Sequence, residues 1–428
     1  MGPSYSGNTR HSHCRNAVSI TAGSTMKRKY IFISIITVVI VGLLVVKIKW
    51  PALFSAKTSS THNINIELKT YDLVNLYQDA KNKCQDAVCF EKELQSLIPT
   101  YGPTASLEML QKLQNDGSIA PVIDDHQIAH RLGRETAKIF GLSGQSFLLC
   151  PTSYNYGCQH GFFEYVLGRT GSTKEAAAIV CGSIEQDHSF SSKFKFYCYH
   201  GLGHGILMAQ AYDLKFSLDT CDSLPTGVGQ EGCWQGVFME NVNGGLKGES
   251  RKDIFSNQDP LAPCNVVDDK YRHQCFINHA GWLMRFFNNN VAEASRACLE
   301  APTANIAACL ESIGLMATNP SWQHSLLPNS AGKKSEQISK EICDRFPASH
   351  RQYCIIGAVD NIMNFNDVNI SKAAGFCDII DEGYQALCYR KIGADLRNQT
   401  VDNNVIIEQC STLEDEFKNI CLDGAGLN

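Results

Sequence analysis

The sequence predicts an all-α fold: a disulfide-stapled array of helical hairpins, an α-solenoid, behind one N-terminal transmembrane helix. Apolar residues recur at helical spacing in segments such as IELKTYDLVNLYQDA and SLEMLQKLQN, and alternating runs of strand length are missing. Cysteines also repeat in pairs, and the second members of successive pairs lie 33 to 45 residues apart. A period of this length on helical sequence is typical of helix-hairpin repeats.

Composition and charge narrow the possible functions. The chain has 428 residues, with 38 Lys and Arg against 43 Asp and Glu, and its net charge is −5. Because it carries no long basic run, we expect no nucleic-acid partner. The 19 cysteines are well above ordinary use, which favours a large folded protein with regularly placed disulfides. The length suits two or three domains or one long repetitive domain.

The N-terminal segment is predicted to anchor the chain in a membrane. Residues 1–29 are a cytoplasmic tail with several basic and no acidic residues, and residues 30–50 contain the uncharged apolar run 31–46. That run spans roughly 24 Å as a helix, and flanking lysines and Trp50 at the interface extend it toward the hydrocarbon thickness. The alternative is a start at Met26 that opens a signal peptide, although no Ala-x-Ala cleavage site follows.

Under both interpretations the remainder of the chain is exported, so we expect it in the periplasm or outside the cell, where disulfides persist. Residues 51–66 read as a flexible polar stalk and 67–125 as an N-terminal helical segment. His-bearing helical repeats follow over 126–318. A Pro-, Gly- and Ser-containing loop is predicted over 319–340, and plainer C-terminal repeats over 341–428.

The cysteines pair by proximity in sequence. The expected bridges are Cys84–Cys89, Cys150–Cys158, Cys181–Cys198, Cys221–Cys233, Cys264–Cys275, Cys298–Cys309, Cys343–Cys354, Cys377–Cys388 and Cys410–Cys421. Each of the later bonds would tie two helices across a short loop and contribute about 2 to 3 kcal/mol. Zinc ligation is the weaker alternative for so regular a spacing. Cys14 is left over on the inner side of the membrane and is expected to stay reduced.

Glycine follows the second cysteine of five pairs at the third position, as Gly161, Gly201, Gly236, Gly357 and Gly424. Because glycine disfavours helices, its recurrence indicates close helix packing, with a sharp bend as the alternative. The layout over residues 126–428 resembles cysteine-rich Sel1-like and tetratricopeptide-type repeat proteins, in which a disulfide joins each antiparallel helix pair. The chain lacks the Leu-Gly-x-x-Tyr signature of that group, so the resemblance implies architecture and no functional residue.

Histidines at helical spacing point to a metal site. His126 and His130 are four residues apart, as are His200 and His204, and His160 stands four residues before Glu164. This spacing places both side chains on one helix face, where paired imidazoles can hold one ion. The six residues are therefore candidate ligands for Zn, Cu or Fe, and the pattern is compatible with non-covalent haem held by two His. The alternatives are a structural role, in which these His fill helix crossings and hydrogen-bond to backbone carbonyls, and a pocket for a non-metal ligand.

Three further residues are candidates for the same pocket. Glu240 and Asn241 end an apolar helical run, and a solvated helix C-terminus is the competing interpretation. His279 is the weakest candidate and is expected to pack beside Trp282. The chain contains no nucleophile elbow, phosphate-binding loop, His-Glu-x-x-His helix or Cys-x-x-Cys-His motif.

Two function classes follow from these observations. The first is a membrane-anchored metalloenzyme or metal carrier whose centre is the His cluster. The second is a non-enzymatic solenoid that binds a peptide or cell-envelope partner on its concave face. Convergence of the His in one pocket would favour the first class, and their scatter over the outer surface would leave only the second.

Overall fold

The computed structural model describes residues 66–119, 125–151, 153–154, 156–186, 191–224, 227–247, 258–365 and 368–427. Three of the predictions above lie outside these ranges: the cytoplasmic tail with Cys14, the transmembrane helix 30–50 and the stalk apart from its last residue. Within the described ranges the regular structure is helical and contains no β-strand. None of the helices found there combines the length and apolarity that a membrane crossing needs.

The N-terminal helical segment consists of two helices, and the first repeats follow it. Helix α1 (Leu73–Lys83) begins at Asp72, whose carboxylate accepts hydrogen bonds from the amides of Val74 and Asn75. Helix α2 (Ala87–Asn115) bends at Gly102, where φ is 78° and only glycine avoids steric strain. The helices that follow, up to the middle of the chain, are α3 (Asp125–Phe140), α4 (Gly144–Phe147), α5 (Gly157–Thr170), α6 (Thr173–Gln186), α7 (Ser192–Ala209), α8 (Leu214–Cys221) and α9 (Val228–Lys247).

The second half continues the same alternation of short and longer helices. Its helices are α10 (Asp269–Phe276), α11 (Ala280–Phe286), α12 (Val291–Ala297), α13 (Ile306–Ala317), α14 (Pro320–Leu326), α15 (Ser335–Cys343), α16 (Arg351–Phe365), α17 (Ser371–Ile379), α18 (Glu382–Gln399), α19 (Asn403–Cys410) and α20 (Asp415–Gly424). One apolar core extends from Ala80 to Cys354, and a second covers Ile355 to Ala425.

Nine disulfides staple these helices, as the cysteine spacing predicted, and they join the same partners. Their Cα–Cα distances are 5.3–5.7 Å, and both cysteines of each late pair are buried. In the typical unit, a short helix that ends at or beside the first cysteine is bonded to the longer helix that follows, as α19 is to α20. The predicted helical-hairpin repeats are therefore present.

The longer helices pack in pairs whose backbones touch at glycines. A Cβ added at any of these glycines would lie only 1.8–2.3 Å from a carbonyl oxygen of the partner helix. The pairs are α3 with α5 (Gly133, Gly161), α7 with α9 (Gly203, Gly236), α13 with α16 (Gly314, Gly357) and α18 with α20 (Gly393, Gly424). Close packing, rather than a bend, therefore explains four of the five predicted glycines. Gly201 instead faces the ring of Phe163 at 3.2 Å.

Two parts of the prediction need correction in this region. The predicted loop 319–340 contains helix α14, which begins at Pro320 because proline is tolerated in the first turn, and the start of α15. Helix α9 runs on to Lys247, so Glu240 and Asn241 lie within it and are buried rather than at a solvated end. The solenoid itself is not established: α18 contacts α7, although in a simple solenoid each repeat contacts only its neighbours.

We expect Gly161→Ala to destabilise the fold strongly and Gly168→Ala, on the same helix, to stabilise it slightly. The added methyl group at Gly161 would lie 1.9 Å from the His130 carbonyl oxygen, whereas nothing lies within 4 Å at Gly168. The free energy of unfolding should fall by about 3 kcal/mol in the first variant and rise by up to about 1 kcal/mol in the second. Urea denaturation of both variants measures the difference, and equal stabilities would contradict the glycine crossing.

Candidate metal centre

The candidate ligands are brought together by the glycine crossings of α3 with α5 and of α7 with α9. Gly161 faces the carbonyl of His130, and Gly236 faces the carbonyl of His200. Each crossing therefore lies at a histidine, and the short distance between backbones lets imidazoles on neighbouring helices touch. His160 on α5 stands between the two histidine pairs, in ring contact with α3 on one side and with α7 on the other.

The first set consists of His126, His130 and His160. Their ring centroids lie 4.4–5.5 Å apart, and the ring planes cross at 70–77°. The outward Nδ1 atoms of two of them are held: His126 contacts the carbonyl oxygen of Tyr154 at 2.7 Å, and His130 contacts Glu164 at 2.5 Å. Arg134 in turn pairs with the second oxygen of Glu164. Metal-binding imidazoles are commonly oriented in this way, through the nitrogen that faces away from the ion.

The second set consists of His160, His200 and His204. His204 directs Nδ1 to Glu240 at 2.9 Å, and the hydroxyl of Tyr212 donates to the other oxygen of that carboxylate at 2.8 Å. In each set, one ligand atom per residue lies within 4.8 Å of the others, so either set could hold a metal ion. His160 belongs to both sets, and within the described part of the chain neither of its ring nitrogens has a hydrogen-bond partner.

Two close contacts between ring nitrogens occur within the cluster. The Nε2 atoms of His126 and His130 are 2.9 Å apart, and those of His200 and His204 are 3.0 Å apart. When a neutral imidazole donates from Nδ1, its Nε2 carries a lone pair, and two facing lone pairs repel each other. In the first pair both Nδ1 atoms face oxygen acceptors, so the contact between the Nε2 atoms needs a cation, either a proton or a metal ion. In the second pair Nδ1 of His200 has no hydrogen-bond partner among the described residues, so a neutral His200 can instead donate from Nε2 to His204. When two imidazole nitrogens each bind one ion at about 2.0–2.1 Å and the nitrogen–ion–nitrogen angle is a right angle, the two nitrogens are about 2.9 Å apart.

Burial disfavours the charged form of the imidazoles of His160 and His200, and the neutral imidazole is the form that binds metal. His130, His160, His200 and His204 are at most 3% exposed. Burial and the neighbouring imidazoles hold the pKa of His160 far below its usual value, and burial with His204 does the same for the pKa of His200. For Glu164 and Glu240 burial raises the pKa, but hydrogen bonds and charge from the adjacent histidines outweigh it and lower the pKa. Both carboxylates are therefore ionised beside the cluster.

Solvent reaches the first set but not the second. His126 is only half-buried, and the side chains of Glu164 and Arg134 beside it are 16% and 39% exposed. In the second set, His200 and His204 are 1% and 0% exposed, and aromatic rings of Tyr156, Phe196 and Tyr197 surround His200. His126 is thus the most accessible residue of the two sets.

The remaining predicted residues are distributed differently. Glu240 contacts the cluster through His204, whereas neither Asn241 nor His279 belongs to a ligand set among the described residues. Asn241 is fully buried and its amide makes no hydrogen bond, and His279 donates to the Pro260 carbonyl oxygen at 2.7 Å. Sequence reasoning missed Arg134 and Tyr212. Arg134 lies four residues after His130, so helical spacing could have found it, but Tyr212 follows α7 in a left-handed conformation.

The second half carries ionisable side chains in its interior, one of them at a position that corresponds to an imidazole of the first half. Glu311 lies two residues after Cys309, as His160 does after Cys158, and burial raises its pKa to about 7. Lys391 contacts Asp360 at 2.7 Å and Asp395 at 2.5 Å. Burial and the charge of Asp360 raise the pKa of Asp395 to about 8. The repeats that appeared plain in sequence therefore contain a buried charge cluster.

The packed rings do not fit a haem held between two histidines. A macrocycle would have to lie between two axial imidazoles, whereas the rings of His160 and His204 are stacked at 3.9 Å and those of His126 and His130 are 4.4 Å apart. These contacts leave no gap for a porphyrin. Individual ions fit the cluster, and imidazole ligation suits Zn, Cu and Fe alike.

No protein-family model, curated protein or solved structure matches this chain. Its class is therefore defined by fold and site alone. The described residues form an all-α, disulfide-rich repeat protein with buried His sets that could hold a metal ion.

We expect Glu164→Gln to weaken metal binding by about 10- to 100-fold, because the neutral amide no longer stabilises the ligating imidazole of His130. Glu135→Gln is the matched control, since Glu135 lies on α3 and pairs with the exposed Lys138. Competition of each variant with a chelator for Zn²⁺ measures the affinities. Equal affinities for the two variants would remove Glu164 from the site.

A pH prediction concerns His279, which lies outside both sets. Burial lowers its pKa to about 4, against about 6.5 in the unfolded chain, so the unfolded state binds the proton more readily. Stability is therefore lost as the pH falls from about 6.5 toward 4. Between pH 7 and pH 5 the wild-type chain should lose about 2 kcal/mol more unfolding free energy than His279→Gln. Urea denaturation at both pH values tests this, and parallel losses would contradict it.

Proposed function

We propose that this chain is a membrane-anchored, extracytoplasmic metalloprotein with a resident transition-metal ion at His126, His130 and His160. The observation that carries the proposal is the convergence of three crossing imidazoles, two of which are oriented through Nδ1 by Tyr154 and Glu164. Three protein ligands with a side open to solvent are the arrangement of catalytic rather than structural metal sites.

An enzyme fits this centre better than a carrier does. The ligands lie on helices fixed by glycine crossings and disulfides, and two of the three are at most 3% exposed. Release of an ion from such a site would require the helices to separate, which a carrier would have to repeat at every transfer. When bound, the ion would supply Lewis-acid activation of water or redox chemistry at its open position. We infer a hydrolase or an oxidoreductase for a small substrate that reaches the side of His126.

The concave-face alternative receives less support. A solenoid that binds peptides needs no buried imidazole cluster with ionised carboxylates behind it. The five histidines of the two sets converge in one place, which is the outcome that favours the metal centre.

Cobalt substitution tests the open position. The purified full chain should bind Co²⁺ with a visible d–d spectrum, and azide should shift that spectrum by entering the coordination sphere. His130→Gln should lose both the spectrum and the shift, whereas His324→Gln, which changes an exposed histidine, should retain them. A chain that binds no Co²⁺, or binds it without a response to azide, would contradict a catalytic-type site.

Thiol labelling tests the compartment. Eighteen of the 19 cysteines form disulfides, and Cys14 is expected on the cytoplasmic side. In intact cells a membrane-impermeant maleimide should label nothing, and after permeabilisation it should label one thiol per chain. Cys14→Ser should abolish that signal. Labelling of many thiols after permeabilisation would place the domain in a reducing compartment.

A further inference from the structure

We propose that the cluster holds two metal ions, the second at the His200–His204 pair on α7. The proposal rests on the proposed function, because it adds a buried ion beside the accessible one. Its basis is the presence of two separate points at which ring nitrogens converge, one on α3 and one on α7.

The two histidine pairs share much of their local design, but Nδ1 of the earlier histidine contacts the Tyr154 carbonyl oxygen in the first pair and has no hydrogen-bond partner among the described residues in the second. In each pair two residues four apart bring their Nε2 atoms together, at 2.9 Å on α3 and 3.0 Å on α7. In each pair the later histidine has its Nδ1 on a carboxylate, Glu164 in the first and Glu240 in the second. Each carboxylate is anchored on its far side, by Arg134 and by Tyr212 respectively. A single ion could occupy only one of the two points.

Ring orientation separates the two points further. The lone pair of an imidazole nitrogen lies in the ring plane, so two rings can share an ion only where their planes meet. The planes of His126, His130 and His160 cross at 70–77°, which allows one ion to be bound by all three. The rings of His160 and His204 are stacked, with planes only 21° apart and centroids 3.9 Å apart. As they stand, these two residues cannot bind the same ion.

The second point has the ligands and charge that an ion needs. His200 and His204 supply two nitrogens, and a ring nitrogen of His160 is the third protein atom within 4.8 Å. Neither ring nitrogen of His160 has a hydrogen-bond partner among the described residues. If the ring turns off its stack on His204, its second nitrogen can bind the second ion, and the proton of that nitrogen is released to solvent so that the ring bridges the two ions as an imidazolate. The carboxylate of Glu240, on Nδ1 of His204, lies where it can offset the added charge. The ion would be shielded from water, as in a structural or electronic supporting role rather than a substrate-binding one.

Metal stoichiometry tests the proposal on the full chain. After loading with Co²⁺ and removal of excess metal, elemental analysis should give two ions per chain for the wild type and one for both His126→Gln and His200→Gln. The remaining ion of His200→Gln should still respond to azide, because it lies in the accessible set, and that of His126→Gln should not. His279→Gln, a buried histidine outside both sets, should retain two ions.

The outcomes distinguish this proposal from the previous one. One azide-sensitive ion in the wild type, unchanged in His200→Gln, would overturn the second ion and leave the proposed function intact. One ion in the wild type and none in either variant would mean a single site built from both pairs, and would also overturn it. No ion in the wild type would refute the metal centre altogether. Circular dichroism and the number of free thiols, equal in all variants, show that the fold is retained.

Discussion

Contact between the backbones of paired helices at glycine is the constraint on which the rest of this structure depends. A side chain at Gly161 or Gly236 would collide with a carbonyl of the partner helix, so glycine alone permits the observed approach. The disulfides add a second constraint, because seven of the nine bond one of these long helices to the segment that precedes it. Because the position and the rotation of each helix are both limited in this way, side chains four residues apart on one helix keep fixed distances to side chains on the next helix.

That fixed relation explains why the imidazoles converge and why they favour a cation. Burial disfavours charged rings at His160 and His200, yet ionised Glu164 and Glu240 lie behind the adjacent rings. The interior therefore contains negative charge and nitrogen lone pairs but little water to solvate them. A transition-metal ion would satisfy the lone pairs directly and the carboxylates through the intervening imidazoles. Without an ion a proton takes that place at the contact of His126 with His130, so metal binding and protonation would compete there.

The repeat architecture uses equivalent positions for different purposes in its two halves. Two residues after the second cysteine, the first half has His160 and His200, whereas the second half has Glu311 beside the cluster of Lys391 and its two aspartates. The contact of α18 with α7 brings the halves together. Tyr197 lies at this contact, 5.6 Å from His200 in ring centroids, and burial together with Tyr156, Asp360 and Asp395 raises its pKa. Polar side chains in the interior thus continue from the imidazoles of the first half toward Lys391 and its two aspartates in the second half.

The sequence by itself determined the helical class, the disulfide partners and the candidate ligands, because periodicity and cysteine spacing are local properties of the chain. A further local pattern in the sequence marks the helix crossings. In one helix of a pair a glycine lies five residues after the second cysteine, as Gly203 does, and in the other it lies three residues after it, as Gly236 does. Only the tertiary structure decided which helices pair, that Glu240 is buried beside His204, and that His160 lies between two sets. Those facts depend on contacts between residues far apart in sequence, which no local pattern encodes.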